Sequence, residues 1–134
     1  MAEKDKILLE VVTPEGAVFN NMVESIVVPA EVGSTGILAG HAPLLTTLNI
    51  GVLRYVREGQ EGKIAISKGF MSVQDNEAEV LVSTAEKGES IDVARAEASA
   101  ERARQRLASQ ANIDRARAEA SLARATARLA AAGK

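Results

Sequence analysis

The sequence predicts an α+β chain, mostly β and then α. An N-terminal antiparallel β-sandwich or barrel is followed by a C-terminal antiparallel two-helix hairpin. Three observations carry this. All three prolines and nine of the ten glycines precede Glu89. Apolar residues before that point alternate with period two. After it, a block beginning Ile91-Asp92 recurs at Ile113-Asp114, with Arg95/Arg117, Arg102/Arg124, Arg106/Arg128 and Leu107/Leu129 in register. The division falls at residues 1–86 and 87–134.

Lys6–Thr13 is a strand bounded by Pro14-Glu15-Gly16. Ala17-Val18-Phe19 is a short strand, ended by the turn signal Asn20-Asn21. Val23–Ala30 contains Pro29, which argues for an edge or a strand end. The glycines of Gly33-Ser34-Thr35-Gly36 and Gly40 are read as turns. Ile50–Val56 and Gly62–Ser67 flank a hairpin at Glu58–Glu61. Phe70–Val73 and Ala78–Ser83 flank another at Gln74–Glu77. Short strands at this spacing point to a small sandwich or barrel.

The tail from Glu89 to Ala132 has no Gly or Pro and is rich in Ala, Arg, Glu and Leu, all strong helix formers. Ser90 and Asn112 are the expected N-caps, with Asp92 and Asp114 in the first turns, where the helix dipole favours negative charge. The bridge Ser109–Asn112 joins the helices. Their facing sides are mostly alanine, with Val93, Leu107, Ile113, Leu122 and Leu129 as the larger anchors. A buried methyl group contributes only about 0.8 kcal/mol, against about 1.5–3 for a Leu side chain. The pair is therefore expected to be a movable element.

Composition narrows the chemistry. The aromatic residues are Phe19, Tyr55 and Phe70, so the core is aliphatic. With no Cys and a single His, His41, neither thiolate chemistry nor a His/Cys metal set is expected. The Gly33–Gly40 stretch lacks the Gly-Lys-Ser/Thr ending of a phosphate loop, and no nucleophile elbow is present. No apolar run approaches the roughly 20 residues of a membrane span. An autonomous enzyme is not expected.

The charge is uneven: residues 1–88 carry a net −5 and residues 89–134 a net +3. Arg95, Arg102 and Arg106 share one face of the first helix, and Arg124 and Arg128 lie one turn apart on the second. Arginine's planar fork suits phosphate and carboxylate. Two rows meeting in a closed hairpin would make an anion site, with Asp92 one turn before Arg95 placed to hold it or to accept from a sugar or amino group. A solvated face of ordinary ion pairs fits the same spacing. A nucleic-acid grip is disfavoured by the small excess charge and the missing stacking aromatics.

Three stretches carry a resemblance: Gly36 to Leu45, Ser67-Lys68-Gly69-Phe70, and Ile91-Asp92 with Arg95-Ala96. Together they are similar to the epsilon subunit of bacterial F-type ATP synthase and its plastid equivalent, over essentially the whole chain. Ala39 stands where that family often has Pro, and Lys68 where Gly is common. The resemblance implies a sandwich of about ten strands and a non-catalytic place in the rotor. The implied partners are the gamma subunit, the c-subunit ring and the alpha/beta catalytic subunits. The chain would sit peripherally on the cytoplasmic face of the plasma membrane. The resemblance also implies ATP as a regulatory ligand, with any part for Mg2+ left open. The hairpin would bind ATP when folded down and inhibit ATP hydrolysis when extended. By the family's pattern the ATP-binding residues are Glu86, Asp92, Arg95, Arg102, Arg124 and Arg128. The c-ring contact is Gly33, Gly36, Gly40 and His41. The alternative is a stand-alone nucleotide- or anion-binding module with no rotor.

Overall fold

A computed structural model describes residues 5–109 and 114–134. Among these residues the chain forms ten strands followed by two helices. The strands are β1 (Ile7–Thr13), β2 (Gly16–Val23), β3 (Ser25–Ala30), β4 (Gly33–Leu38), β5 (Leu44–Leu48), β6 (Gly51–Arg57), β7 (Gln60–Ile66), β8 (Gly69–Gln74), β9 (Glu77–Val82) and β10 (Ala85–Lys87). A 3-10 turn at Gly88–Ser90 leads into α1 (Val93–Ala108) and α2 (Arg115–Ala131). The strands run in the spatial order β10-β7-β6-β3-β5-β8-β9-β1-β2, with β4 paired to β3. The ends of this path, β10 and β2, come close together, so the sheet nearly closes on itself. The pairs are antiparallel apart from β1 with β9, which are parallel.

Alternation builds the interior. Ile7, Leu9 and Val11 of β1, Ile26 and Val28 of β3, Leu53 of β6, Ile64 of β7, and Met71 and Val73 of β8 fill it. Phe19 and Tyr55 meet across it, with ring centroids 4.5 Å apart. Both expected hairpins are present. Glu58-Gly59 and Asp75-Asn76 adopt positive φ at both central positions, the geometry whose twist matches paired strands.

Two strand expectations fail. Asn20-Asn21 is not a turn: β2 continues through both, pairing them with Glu10 and Leu9. Ladder hydrogen bonds to β1 outweigh the local preference of asparagine. The Gly33–Gly36 stretch is likewise a strand, with Gly36 opposite Val27. Only Gly33 and Gly40, at the two ends of β4, have the positive φ of turns. Pro29 lies next to the end of β3, where its carbonyl accepts from Asn49 N.

Gly69 explains one of the sequence motifs. A Cβ there would lie 2.0 Å from the carbonyl oxygen of Leu81 on β9. Gly88 is equally constrained: its missing Cβ would lie 2.1 Å from the Ala131 carbonyl oxygen, at the end of α2. The backbone turn that leaves the sandwich thus presses directly on the second helix.

The helix caps differ from expectation. Asp92 Oδ1 accepts from Arg95 N at 3.0 Å, and Asp114 Oδ1 accepts from Arg117 N at 3.0 Å. Asp92, not Ser90, is the first N-cap, because Ser90 is spent in the 3-10 turn. Asp114 caps the second helix; Asn112 lies outside the described residues. The anchors differ as well. The buried helical residues are alanines: Ala96, Ala100 and Ala103 on α1, and Ala118, Ala125, Ala127 and Ala131 on α2. Val93, Leu107, Leu122 and Leu129 are only half-buried, and Ile113 lies outside the described residues. At the closest approach of two helices a large side chain would hold the axes apart, so small residues take the seam and large ones its flanks.

The helices are antiparallel, since Arg115 Nη1 donates to Leu107 O at one end while Ala96 meets Ala127 and Ala131 at the other. The outer face of β6 and β7 receives α2, where Ile50, Val52 and Ala65 meet Ala127, Leu129 and Ala131, with Ile91 buried beside them. α1 rests mainly on α2.

Gly88→Ala forces the sandwich and the α2 terminus apart, with a loss of about 1–3 kcal/mol in docking. Amide exchange in α2 rises while exchange in β1 and β8 stays unchanged; equal exchange in α2 would contradict the contact. Glu24 accepts from the backbone N–H of Gly59 at 3.0 Å and of Glu58 at 3.1 Å. These bonds, Gly59 first, lower its pKa below the ordinary 4.5. A lowered folded pKa contributes stability that is present above the unfolded value and is lost as the pH falls through the folded one. Wild type therefore exceeds Glu24→Gln in urea midpoint at neutral pH, and the gap closes in acid below the carboxylate range.

Candidate functional site

A cleft of about 360 Å³ opens where sandwich, turn and hairpin meet. Its walls are Glu86 of β10, Ser90 of the 3-10 turn, the cap residue Asp92, then Arg95, Ala96 and Ser99 of α1, and Arg128 of α2. The volume suits a small ligand. The cleft is thus shared between the edge of the sandwich and the hairpin packed on it.

The sequence explains how these groups converge. Asp92, Arg95 and Ser99 fall at spacings of three and four, on one side of α1. Ala96 forms the floor between them and, with no side chain beyond Cβ, leaves the space open. Antiparallel pairing brings the end of α2, and so Arg128, back beside the start of α1. Pairing of Glu86 with Ala65 of β7 sets the third wall.

One ion pair crosses the cleft. Arg128 Nε donates to Glu86 Oε1 at 2.5 Å, joining α2 to β10. The side chains are 29% and 41% exposed, so solvent screens the pair and its net contribution is small. Asp92 does not hold the Arg95 guanidinium; its Oδ1 caps the Arg95 backbone N–H instead.

Of the six residues singled out for ATP, four line the cleft: Glu86, Asp92, Arg95 and Arg128. Arg102 and Arg124 do not. Arg102 is exposed one turn beyond Ser99 and donates to the Ser99 hydroxyl at 3.1 Å. Arg124 is half-buried on α2, one turn before Arg128. Two lining residues escaped the sequence reading, Ser90 and Ser99. Ser99 was visible in principle as a hydroxyl four residues after Arg95 in an alanine-rich helix. Among the described residues, no group of three or more His, Asp or Glu is arranged to hold a metal ion.

The four c-ring candidates do not form one cluster. Gly33 adjoins Val32, 90% exposed at the β3–β4 tip. Gly40 and His41 lie at the other end of β4, where Asn76 Oδ1 accepts from Gly40 N at 2.9 Å. Gly36 sits exposed between them. A six-residue strand separates the two ends by about 20 Å. No described helix is long and apolar enough to cross a membrane.

Comparisons with known proteins agree along the whole chain. Residues 6–88 match the ATP synthase Delta/Epsilon chain beta-sandwich domain, and residues 89–133 match the long alpha-helix domain of the same chain. The ATP synthase epsilon chain of Carboxydothermus hydrogenoformans is 56% identical over 104 residues, 78% of each chain. That of Pelotomaculum thermopropionicum is 50% identical over 102 residues, 76% of each. In the solved Euglena gracilis mitochondrial ATP synthase, comprising OSCP, F1 and c-ring, one chain superposes with a TM-score of 0.82 at 26% identity. The match covers 97% of this chain and 82% of that one. A chain of the Tetrahymena thermophila central stalk and c-ring superposes at 0.60 with 16% identity, covering 96% and 97%, which shows the shared fold. With both its sandwich and its helical hairpin matched, the chain belongs to the ATP synthase delta/epsilon chain family, alongside the bacterial epsilon chains.

Proposed function

We propose that this chain is the central-stalk subunit that joins gamma to the c ring of a proton-translocating F-type ATP synthase, peripheral on the cytoplasmic face of the plasma membrane. It does no chemistry of its own. Its hairpin is a two-state arm: folded down, it binds ATP; extended toward the alpha/beta subunits, it restrains ATP hydrolysis. The observation that carries the ATP reading is the convergence of Glu86, Asp92, Arg95 and Arg128 on one cleft.

The cleft supplies complementary ends. Arg95 and Arg128 offer charge-assisted donors to phosphate oxygens, and Arg102 and Arg124 extend that positive row along both helices. The carboxylates of Glu86 and Asp92 accept from the amino or hydroxyl groups of a nucleoside. From Asp92 to Arg102 is ten residues, about 15 Å of helix, long enough for an extended nucleoside triphosphate.

Binding then controls the arm by linkage. The walls of the cleft come together only in the docked hairpin, so a ligand there stabilises docking and has no site once the arm extends. At about 100 times its dissociation constant it contributes about 2.7 kcal/mol. Each seam alanine contributes about 0.8 kcal/mol at most, so the ligand's share equals several of these contacts and shifts the balance of docking. The turns about Gly33 and Gly40, with exposed Val32 and Leu38 beside them, are the surfaces offered to the c ring.

Titration calorimetry of the full chain with ATP tests the site. Saturable binding is expected, weakened about tenfold or more by Arg95→Ala and by Arg128→Ala. Absence of heat at millimolar ATP would overturn the ATP reading and leave the family assignment untouched. In the assembled complex, ending the chain after Lys87 is expected to raise ATP hydrolysis at low ATP and to remove its dependence on hairpin state. Unchanged hydrolysis would overturn the arm's inhibitory role.

A further inference from the structure

We propose that Ser99, which lines the cleft, is a positioning residue that holds Arg102 at the cleft's margin, where its guanidinium can meet phosphate; this rests on the nucleotide reading above. Three observations meet at Ser99. It lines the cleft beside Arg95 and Ala96. Its hydroxyl accepts from Arg102 Nη2 at 3.1 Å. Arg102, although exposed, has no other side-chain hydrogen bond or ion pair among the described residues.

Helix geometry makes this contact purposeful. Side chains of an α-helix slant toward its N-terminus, so Arg102 already leans toward Ser99 and the cleft, which lies N-terminal to it. A free arginine at that site would sample many rotamers and lose that freedom on binding. The Ser99 hydroxyl removes part of that loss in advance by holding the guanidinium against α1. One of its donors is used there, and the rest of its planar fork remains for phosphate oxygens. Packing alone does not call for serine here: the buried positions of this helix, Ala96, Ala100 and Ala103, are alanine. Alanine is also the better helix former.

The test is a double-mutant cycle on the full chain, with ATP and AMP titrated into wild type, Ser99→Ala, Arg102→Ala and the double variant. Melting of Ser99→Ala is expected at or above the wild-type temperature, since the helix gains an alanine. Its ATP affinity is expected to fall about three- to tenfold, as expected when an ordered arginine must be immobilised afresh. In the Arg102→Ala background the same substitution is expected to change affinity by less than about twofold, because nothing remains to position. AMP affinity is expected to be nearly unaffected by Ser99→Ala.

An equal loss in both backgrounds, or an equal loss for AMP, would show Ser99 acting on its own and overturn the proposal. Full ATP affinity in Ser99→Ala beside a weakened Arg102→Ala would overturn it too. If wild type binds no ATP, the nucleotide reading fails first and takes this one with it, an outcome distinct from wild-type binding with the cycle uncoupled.

Discussion

The structure depends on how closely α2 is allowed to approach the sandwich. The backbone at Gly88 presses against the last turn of α2, with no room for even a methyl group. Everything that defines the cleft follows from that approach. It sets Ala127 and Ala131 on the outer face of β7, brings Arg128 within reach of Glu86, and lays the start of α1 beside the end of α2. A larger residue anywhere along this seam would open the angle between sheet and hairpin and spread the cleft walls. The alanine-rich composition of the tail is therefore a geometric requirement of the site as well as a source of helix propensity.

The same requirement limits the strength of docking. Alanine seams permit close packing but bury little apolar area, so the hairpin is held by many small contacts. The sandwich core is built instead from fully buried Ile, Leu, Val and Met. The two halves thus differ in how they are packed, and the more lightly packed half carries eight of the ten arginines. Elements that move in regulation are drawn from the low-stability end of a structure.

The sequence revealed features whose causes are local. The hairpin turns at Glu58-Gly59 and Asp75-Asn76 were legible because positive φ is a property of one or two residues. The two-helix tail was legible from its duplicated blocks and its lack of Gly and Pro. Features decided by strand pairing were not. Asn20-Asn21 and Gly33–Gly36 read as turns, yet each is held in a ladder by the strand just before it, β1 and β3 respectively. Large side chains looked like the helical anchors because burial scales with size, but interaxial distance reversed that order. At the site, helical spacing showed which arginines share a face. It did not show that Arg128, rather than Arg124, would reach the cleft, because that depends on where antiparallel pairing halts the second helix. The resemblance supplied Glu86, a residue that no spacing argument could connect to the helices.

The Glu86–Arg128 pair gives the site a further property. Arg128 gives only its Nε to Glu86, so the two Nη groups of its planar fork stay available to an anion. Under the proposed nucleotide reading, a phosphate would engage those donors while the link between α2 and β10 holds. Asp92 and the second oxygen of Glu86 would remain as acceptors for the donors of a nucleoside. The pair would then tie ligand binding to the docking of α2 on the sandwich, because the residue that meets the ligand is also the one that fastens the helix.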